Sequence, residues 1–115
     1  MLIFYNWFLV LRMKTTEGQN LANRAADVAR KFVGVPYDSN FVNGPQKMYC
    51  SSLLSYSFKA AAGETYDPFP FVPMDFGNFK SEWAKILGHA APQGYPGISP
   101  GDIERSPLLE PFHGI

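Results

Sequence analysis

An almost unbroken apolar run fills residues 2–11, with Asn6 its one polar member. Aromatic and aliphatic residues dominate it, which is the composition of a buried strand, and Thr15-Thr16-Glu17-Gly18 after it reads as turn chemistry. From Asn20 the period changes. Leu21, Ala25, Val28, Ala29 and Phe32 recur at helical spacing, and Asn23, Arg24, Asp27, Arg30 and Lys31 take the opposite face. The pattern predicts a helix that Asn20 caps and Gly34 ends, before Pro36 forbids continuation.

A second helix is predicted from Cys50 to about Ala62, because Leu53, Leu54, Ser57, Phe58 and Ala61 share a face and Gly63 follows. The Gly44-Pro45 pair marks the loop before it. A third, shorter helix is predicted over 78–87, where Phe79, Trp83, Ile86 and Leu87 fall at helical intervals ahead of Gly88. Most of the prolines follow Gly63, and the Phe, Tyr and Trp among them mark an ordered wrap rather than a solvated linker. Within that wrap, Ser99-Pro100-Gly101-Asp102 has the form of an N-cap, a first-turn proline and an acidic first turn. No internal repeat and no low-complexity tract is present.

Composition narrows what such a chain does. Its 115 residues suit one domain, taken as 1–115, and ten Lys+Arg balance ten Asp+Glu. Zero net charge gives no basic footprint for nucleic acid and no patch for anionic lipid. The run at 2–11 is about half the ~20 residues that span a bilayer. Arg12-Met13-Lys14 follow that run, whereas a signal peptide places its basic residues in front. Charged residues are 17%, below the usual ~25%, and aromatics are 16%. Two explanations stay open: an aromatic-rich core, or a chain that packs against a partner.

A single cysteine forms no internal disulfide and no multi-cysteine zinc site. Placed at the first turn of a helix, Cys50 meets unpaired backbone N–H groups and the positive end of the helix dipole, which favour a thiolate and face a developing oxyanion. A buried, inert structural thiol is the competing reading.

The words around Cys50 carry a resemblance. Gly34-Val35-Pro36-Tyr37-Asp38-Ser39-Asn40-Phe41 and Tyr49-Cys50-Ser51-Ser52-Leu53-Leu54 resemble the G-x-P-Y-D-x-x-F and Y-C-S-E-L-V motifs of the YiiX/YebB-like permuted papain-fold cysteine hydrolases, a branch of the NlpC/P60 superfamily. Pro73-Met74-Asp75-Phe76, Trp83 and the stretch 96–109 resemble the C-terminal half of that family. The resemblance implies an α+β papain-like domain that is N-terminally incomplete, about the last two-thirds of the permuted fold. It makes Cys50 the nucleophile and its own N–H an oxyanion donor, and it sets Tyr37, Asp38, Tyr49 and Ser51 along the substrate groove. Aromatic packing for the two tyrosines, and a turn-forming role for Asp38, are the plainer readings.

Two departures matter. Ser52 stands where the family has Glu, and no histidine precedes Cys50, whereas the permuted family carries its base there. His89 reads as a loop residue. His113 follows Pro100-Gly101-Asp102 much as the base follows the cysteine in unpermuted relatives, yet Glu104-Arg105-Ser106-Pro107 interrupts the expected apolar strand, so His113 reads as a stray terminal histidine.

The expectation is therefore a cofactor-independent thiol hydrolase of amide or ester bonds, acting through an acyl-enzyme on Cys50. The resemblance implies cell-wall peptide or lipid-like acyl substrates and a bacterial cell envelope setting. The alternative is a catalytically incomplete remnant or partner-binding module, self-associating through the edge of the strand at 2–11. A metal site from His89, His113 and Cys50 has no ligand spacing in its favour.

Overall fold

A computed structural model describes residues 9–113. The predicted strand at 2–11 falls mostly outside them. What is described is a short strand, β1 (Leu11–Met13), so Arg12 and Met13 belong to the strand rather than to its flank.

The first helix, α1 (Thr16–Arg30), starts four residues before Asn20 and stops before Gly34. Thr15 is its cap: the residue is extended, with φ −106° and ψ 157°, and its hydroxyl accepts the Gly18 N–H at 3.0 Å. Gly18 serves packing, not a turn. A Cβ there would lie 2.9 Å from the Met13 Cβ, so the missing side chain lets α1 close onto β1.

Helix α2 (Cys50–Ala61) follows the predicted bounds, and its apolar face packs along α1. The chain then forms β2 (Val72–Pro73), a 3₁₀ turn (Gly77–Phe79) that runs into α3 (Lys80–Leu87), β3 (Pro96–Gly97), α4 (Pro100–Glu104) and β4 (Leu109–Pro111). Gly88 ends α3 in the left-handed region at φ 80°, as its position predicts. Ser99 caps α4 with Pro100 in the first turn, and Asp102 completes the box by accepting the Ser99 N–H at 2.9 Å.

Two small antiparallel ladders tie distant segments together. Strand β1 pairs with β4, with Leu11 opposite Pro111 and Met13 opposite Leu109, and β2 pairs with β3. The strand at Leu109–Pro111 corrects the expectation that Glu104–Pro107 would prevent one. Helix α4 ends at Glu104, Arg105 caps it and Ser106-Pro107 turn the chain, so pairing begins two residues further on.

The core gathers Met13, Leu21, Ala25, Tyr49, Phe58, Phe69 and Ile98. Phe58 and Phe69 meet edge to face with centroids 4.9 Å apart, and each buried ring contributes about 1.5–3 kcal/mol. Phe41 bridges to Tyr49 at 5.1 Å and to Trp83 at 6.1 Å, which anchors α3 to the loop before α2. Among the described residues, no helix is long and apolar enough to cross a membrane.

Candidate active site

The start of α2 is built by three residues, Tyr49, Ser51 and Ser52, whose polar groups bond within the protein on either side of Cys50. Tyr49, the cap, is extended at φ −107° and ψ 169°. Ser52 holds it from both sides, accepting the Tyr49 N–H and donating to the Tyr49 carbonyl, each at 2.9 Å. The serine that stands at the family's Glu position thus orders the helix start itself, reaching only the nearest peptide unit.

The Tyr49 phenol donates to Asn43 Oδ1 at 2.9 Å and accepts the Ile98 N–H at 3.2 Å. Burial pushes its pKa up, the Ile98 N–H partly offsets this, and the nearby Asp38 carboxylate adds to the rise, so the phenol stays a neutral donor. Ser51, 3% exposed, donates to the Ile98 carbonyl at 2.8 Å. The two neighbours of Cys50 therefore hold both polar groups of one peptide residue, Ile98, and fix the β3–α4 segment against α2.

Asp38 is 1% exposed, and its two oxygens accept the N–H groups of Val42 and Asn43 at 3.0 and 2.8 Å. The same loop is held by Asp38 N–H to the Met48 carbonyl and Met48 N–H to the Pro36 carbonyl, at 3.0 and 3.1 Å. Phe41 and Asn43 sit in the left-handed region at φ 56° and 61°, a conformation that Asn tolerates better than Phe. Of the four residues expected along the groove, Asp38, Tyr49 and Ser51 spend their polar groups inside the protein. Tyr37 faces out at 65% exposure.

Cys50 is exposed, at the first position of α2. Three cavities meet there. One of about 390 Å³ is walled by Leu9 and Leu11 of the β1 segment, Leu54 of α2, and Pro100, Ile103 and Glu104 of α4. A second, of about 340 Å³, runs between α1 and α2, past Ala22, Ala26 and Ala29 on one side and Leu53 and Ser57 on the other. The third, about 200 Å³, brings in Tyr37, Phe32 and Met48. The thiol itself is 4.0 Å from the Ser51 hydroxyl.

Asn43 and Ile98, which link the loop to the helix, were not legible as site-building residues. The signal for Asn43 was the Asn43-Gly44 pair, which favours a left-handed turn. His89 lies in the loop after α3, with Nε2 3.1 Å from Asn40 Oδ1 and Nδ1 2.9 Å from the Ala90 carbonyl. Among the described residues, no three of His, Cys, Asp or Glu form a group suited to hold a metal ion.

The helix-and-short-sheet frame of the described residues matches a known architecture. A family model described as permuted papain-like amidase enzyme, YaeF/YiiX, C92 family, matches residues 5–112. The chain belongs to this family. Its fold is the α+β, papain-like fold of YiiX: the crystal structure of metalloprotein yiiX from Escherichia coli O157:H7 superposes with a TM-score of 0.70 at 18% identity. That match covers 91% of this chain and 60% of the other, so the chain spans less than two-thirds of that relative's length. No curated protein matches the chain in sequence.

Proposed function

We propose that this C92-family chain is a thiol amidase or esterase in which Cys50 attacks a carbonyl carbon, forms a thioester acyl-enzyme and releases the acyl group to water. The observation that carries the reading is the position of Cys50: exposed at the first turn of α2, at the junction of three cavities. The family of permuted papain-like amidases supplies the reaction class. The early backbone N–H groups of α2 have no partner within the helix, so the Cys50 N–H is the natural donor to the oxyanion of the tetrahedral intermediate. Tyr37 borders the reacting carbonyl from the 200 Å³ side, while Asp38, Tyr49 and Ser51 shape the groove through the backbone they hold.

The cavity walls favour acyl groups with apolar character, through Leu9, Leu11, Leu54 and Ile103 on one side and the alanines of α1 on the other. Both a peptide with apolar side chains and a fatty-acyl amide suit such walls. The test is release of aminomethylcoumarin from a panel of acyl and peptidyl amides. The reading expects Cys50-dependent turnover, absent in Cys50→Ser. No turnover on any member, with the fold intact, contradicts it.

A second reading keeps the fold but not the chemistry: a binding module that uses the apolar surface around Leu9, which is 52% exposed, and the edge of β1 opposite β4. Concentration-dependent dimerisation that survives Cys50→Ser and buries Leu9 supports this reading; a monomer at high concentration removes it.

A further inference from the structure

Cys50 opens onto three cavities, and among the described residues their walls carry one charged side chain. The 340 and 200 Å³ cavities are lined by uncharged residues alone. In the 390 Å³ cavity Leu9, Leu11, Leu54, Pro100 and Ile103 present apolar surface, and Glu104 stands among them. The Glu104 carboxylate enters none of the ion pairs of the described residues: Arg105, its neighbour, is held at 2.8 Å by Asp102, and Arg12 by Glu110.

Hydrogen bonds fix the helix that carries this carboxylate. The Ser51 hydroxyl donates to the Ile98 carbonyl at 2.8 Å, which seats the chain entering α4 against the turn that bears Cys50. The Ser99–Asp102 box starts α4, and the Arg105 N–H closes its last turn on the Gly101 carbonyl at 3.1 Å. Along α4, Pro100, Ile103 and Glu104 stand at i, i+3 and i+4, the spacing of one helix face, and all three line the cavity. Glu104 therefore belongs to the cavity wall through the face that also supplies Pro100 and Ile103.

We infer that this cavity is a specificity pocket for acyl groups whose apolar chain ends in a cation, an ammonium or guanidinium that Glu104 selects; the inference rests on the hydrolase reading. A lysyl side chain and a plain alkylammonium chain share that chemistry. Charge separates the chains that fit such walls. A neutral chain gains the apolar contact but leaves the carboxylate short of water and unpaired. An anionic chain meets like charge. A cationic chain gains both the apolar contact and a charge-assisted hydrogen bond. Glu104 is exposed, so salt screens the pair and the preference is modest, about two- to fivefold per charge. Glu104 meets the far end of the acyl group and takes no part in proton transfer at the thiol.

The test has two arms, both on the full chain, with Glu104→Gln, Glu104→Lys and, as an exposed carboxylate that lines none of the three cavities, Glu82→Gln. Circular dichroism checks that each variant folds. The first arm needs no turnover: aminoethyl and sulfonatoethyl methanethiosulfonate, a cation and an anion, label the single cysteine, and the ratio of their rates is read. The expected ratio falls about two- to fivefold in Glu104→Gln and further in Glu104→Lys, holds in Glu82→Gln, and loses its dependence on Glu104 in about 1 M salt. The second arm compares kcat/KM for the aminomethylcoumarin amides of acetyl-lysine, acetyl-norleucine and acetyl-aminoadipate. The expected order is lysyl, norleucyl, aminoadipyl, with the two ends exchanged in Glu104→Lys. The amide of 6-(trimethylammonio)hexanoate separates the two sources: preference for it over the hexanoyl amide shows that chain and cation suffice, and preference for the lysyl amide alone shows that the peptide is read too. Equal ratios in wild type and Glu104→Gln overturn the inference. Turnover that ignores substrate charge also overturns it and leaves the hydrolase reading standing. No turnover of any amide, with labelling still governed by Glu104, removes the hydrolase reading and with it the pocket's role in substrate choice.

Discussion

Removing one oxygen, in Tyr49→Phe, tests whether the residue before Cys50 is a structural post rather than a substrate contact. The phenol makes two hydrogen bonds, to Asn43 Oδ1 at 2.9 Å and from the Ile98 N–H at 3.2 Å. A neutral hydrogen bond contributes about 1 kcal/mol net, and a buried N–H left without a partner costs about 1–3 kcal/mol. Ile98 is a core residue, and the Phe ring keeps the edge contact with Phe41, so the loss falls on the polar groups. The sum is about 2–4 kcal/mol, or a fall in Tm of roughly 8–16 °C for a domain of this size. Urea unfolding of Tyr49→Phe against Tyr37→Phe reads it directly. Tyr37 is 65% exposed, and its hydroxyl loss belongs within about 0.5 kcal/mol. Equal effects at the two positions, or a Tyr49→Phe change under about 0.5 kcal/mol, refute the reasoning.

Gly18→Ala, which ordinarily stabilises a helix by about 0.5–1 kcal/mol, is expected to destabilise here by about 1 kcal/mol or more, because the new Cβ would meet the Met13 Cβ at 2.9 Å; chemical denaturation gives the sign. For Asp102, partial burial raises the carboxyl pKa, but bonds from the Ser99 backbone and hydroxyl and from Arg105 hold it below its usual value. Its stabilising effect is therefore complete above the unfolded value near 3.8 and lost as pH falls through the lower folded value. Wild type should lose stability relative to Asp102→Asn across that acid window, and parallel curves would count against the capping role. Tyr49 and Tyr56 both have raised pKa values, mainly from burial with Asp38 adding, so absorbance titration should show two phenols ionising above 10. Stability should then fall as pH rises past that value, since the unfolded chain releases those protons first.

Much of this frame was legible because its signals are local. Helix α2 announces itself through the apolar spacing from Leu53 to Ala61, a Gly-Pro loop before it and a glycine after it, and that alone puts Cys50 at a helix start. The start of α1 was misread because Thr15-Thr16-Glu17-Gly18 satisfies turn and cap chemistry equally well. The choice is made by Met13, whose close approach gives Gly18 a packing reason. Strand β4 was missed for a related reason: Ser106-Pro107 breaks the local pattern, and the partner that makes Leu109–Pro111 a strand is Leu11–Met13 at the other end of the chain. Tyr49, Asp38 and Ser51 were legible as residues that matter near Cys50. Their hydrogen bonds to Asn43, Val42 and Ile98 were not, because local periodicity carries no record of a bond that spans 47 residues, as the Ser51–Ile98 bond does.

The central claim is that Cys50 carries the acyl group, and the mass of the intact protein tests it most directly. The full chain is mixed with p-nitrophenyl acetate near neutral pH and sampled over seconds to minutes, with Cys50→Ser in parallel. The account predicts a single acetyl adduct that maps to Cys50, appears ahead of steady release of nitrophenol and decays as water takes the acyl group. No adduct, or one that forms no faster than on the urea-unfolded chain and never decays, would contradict it.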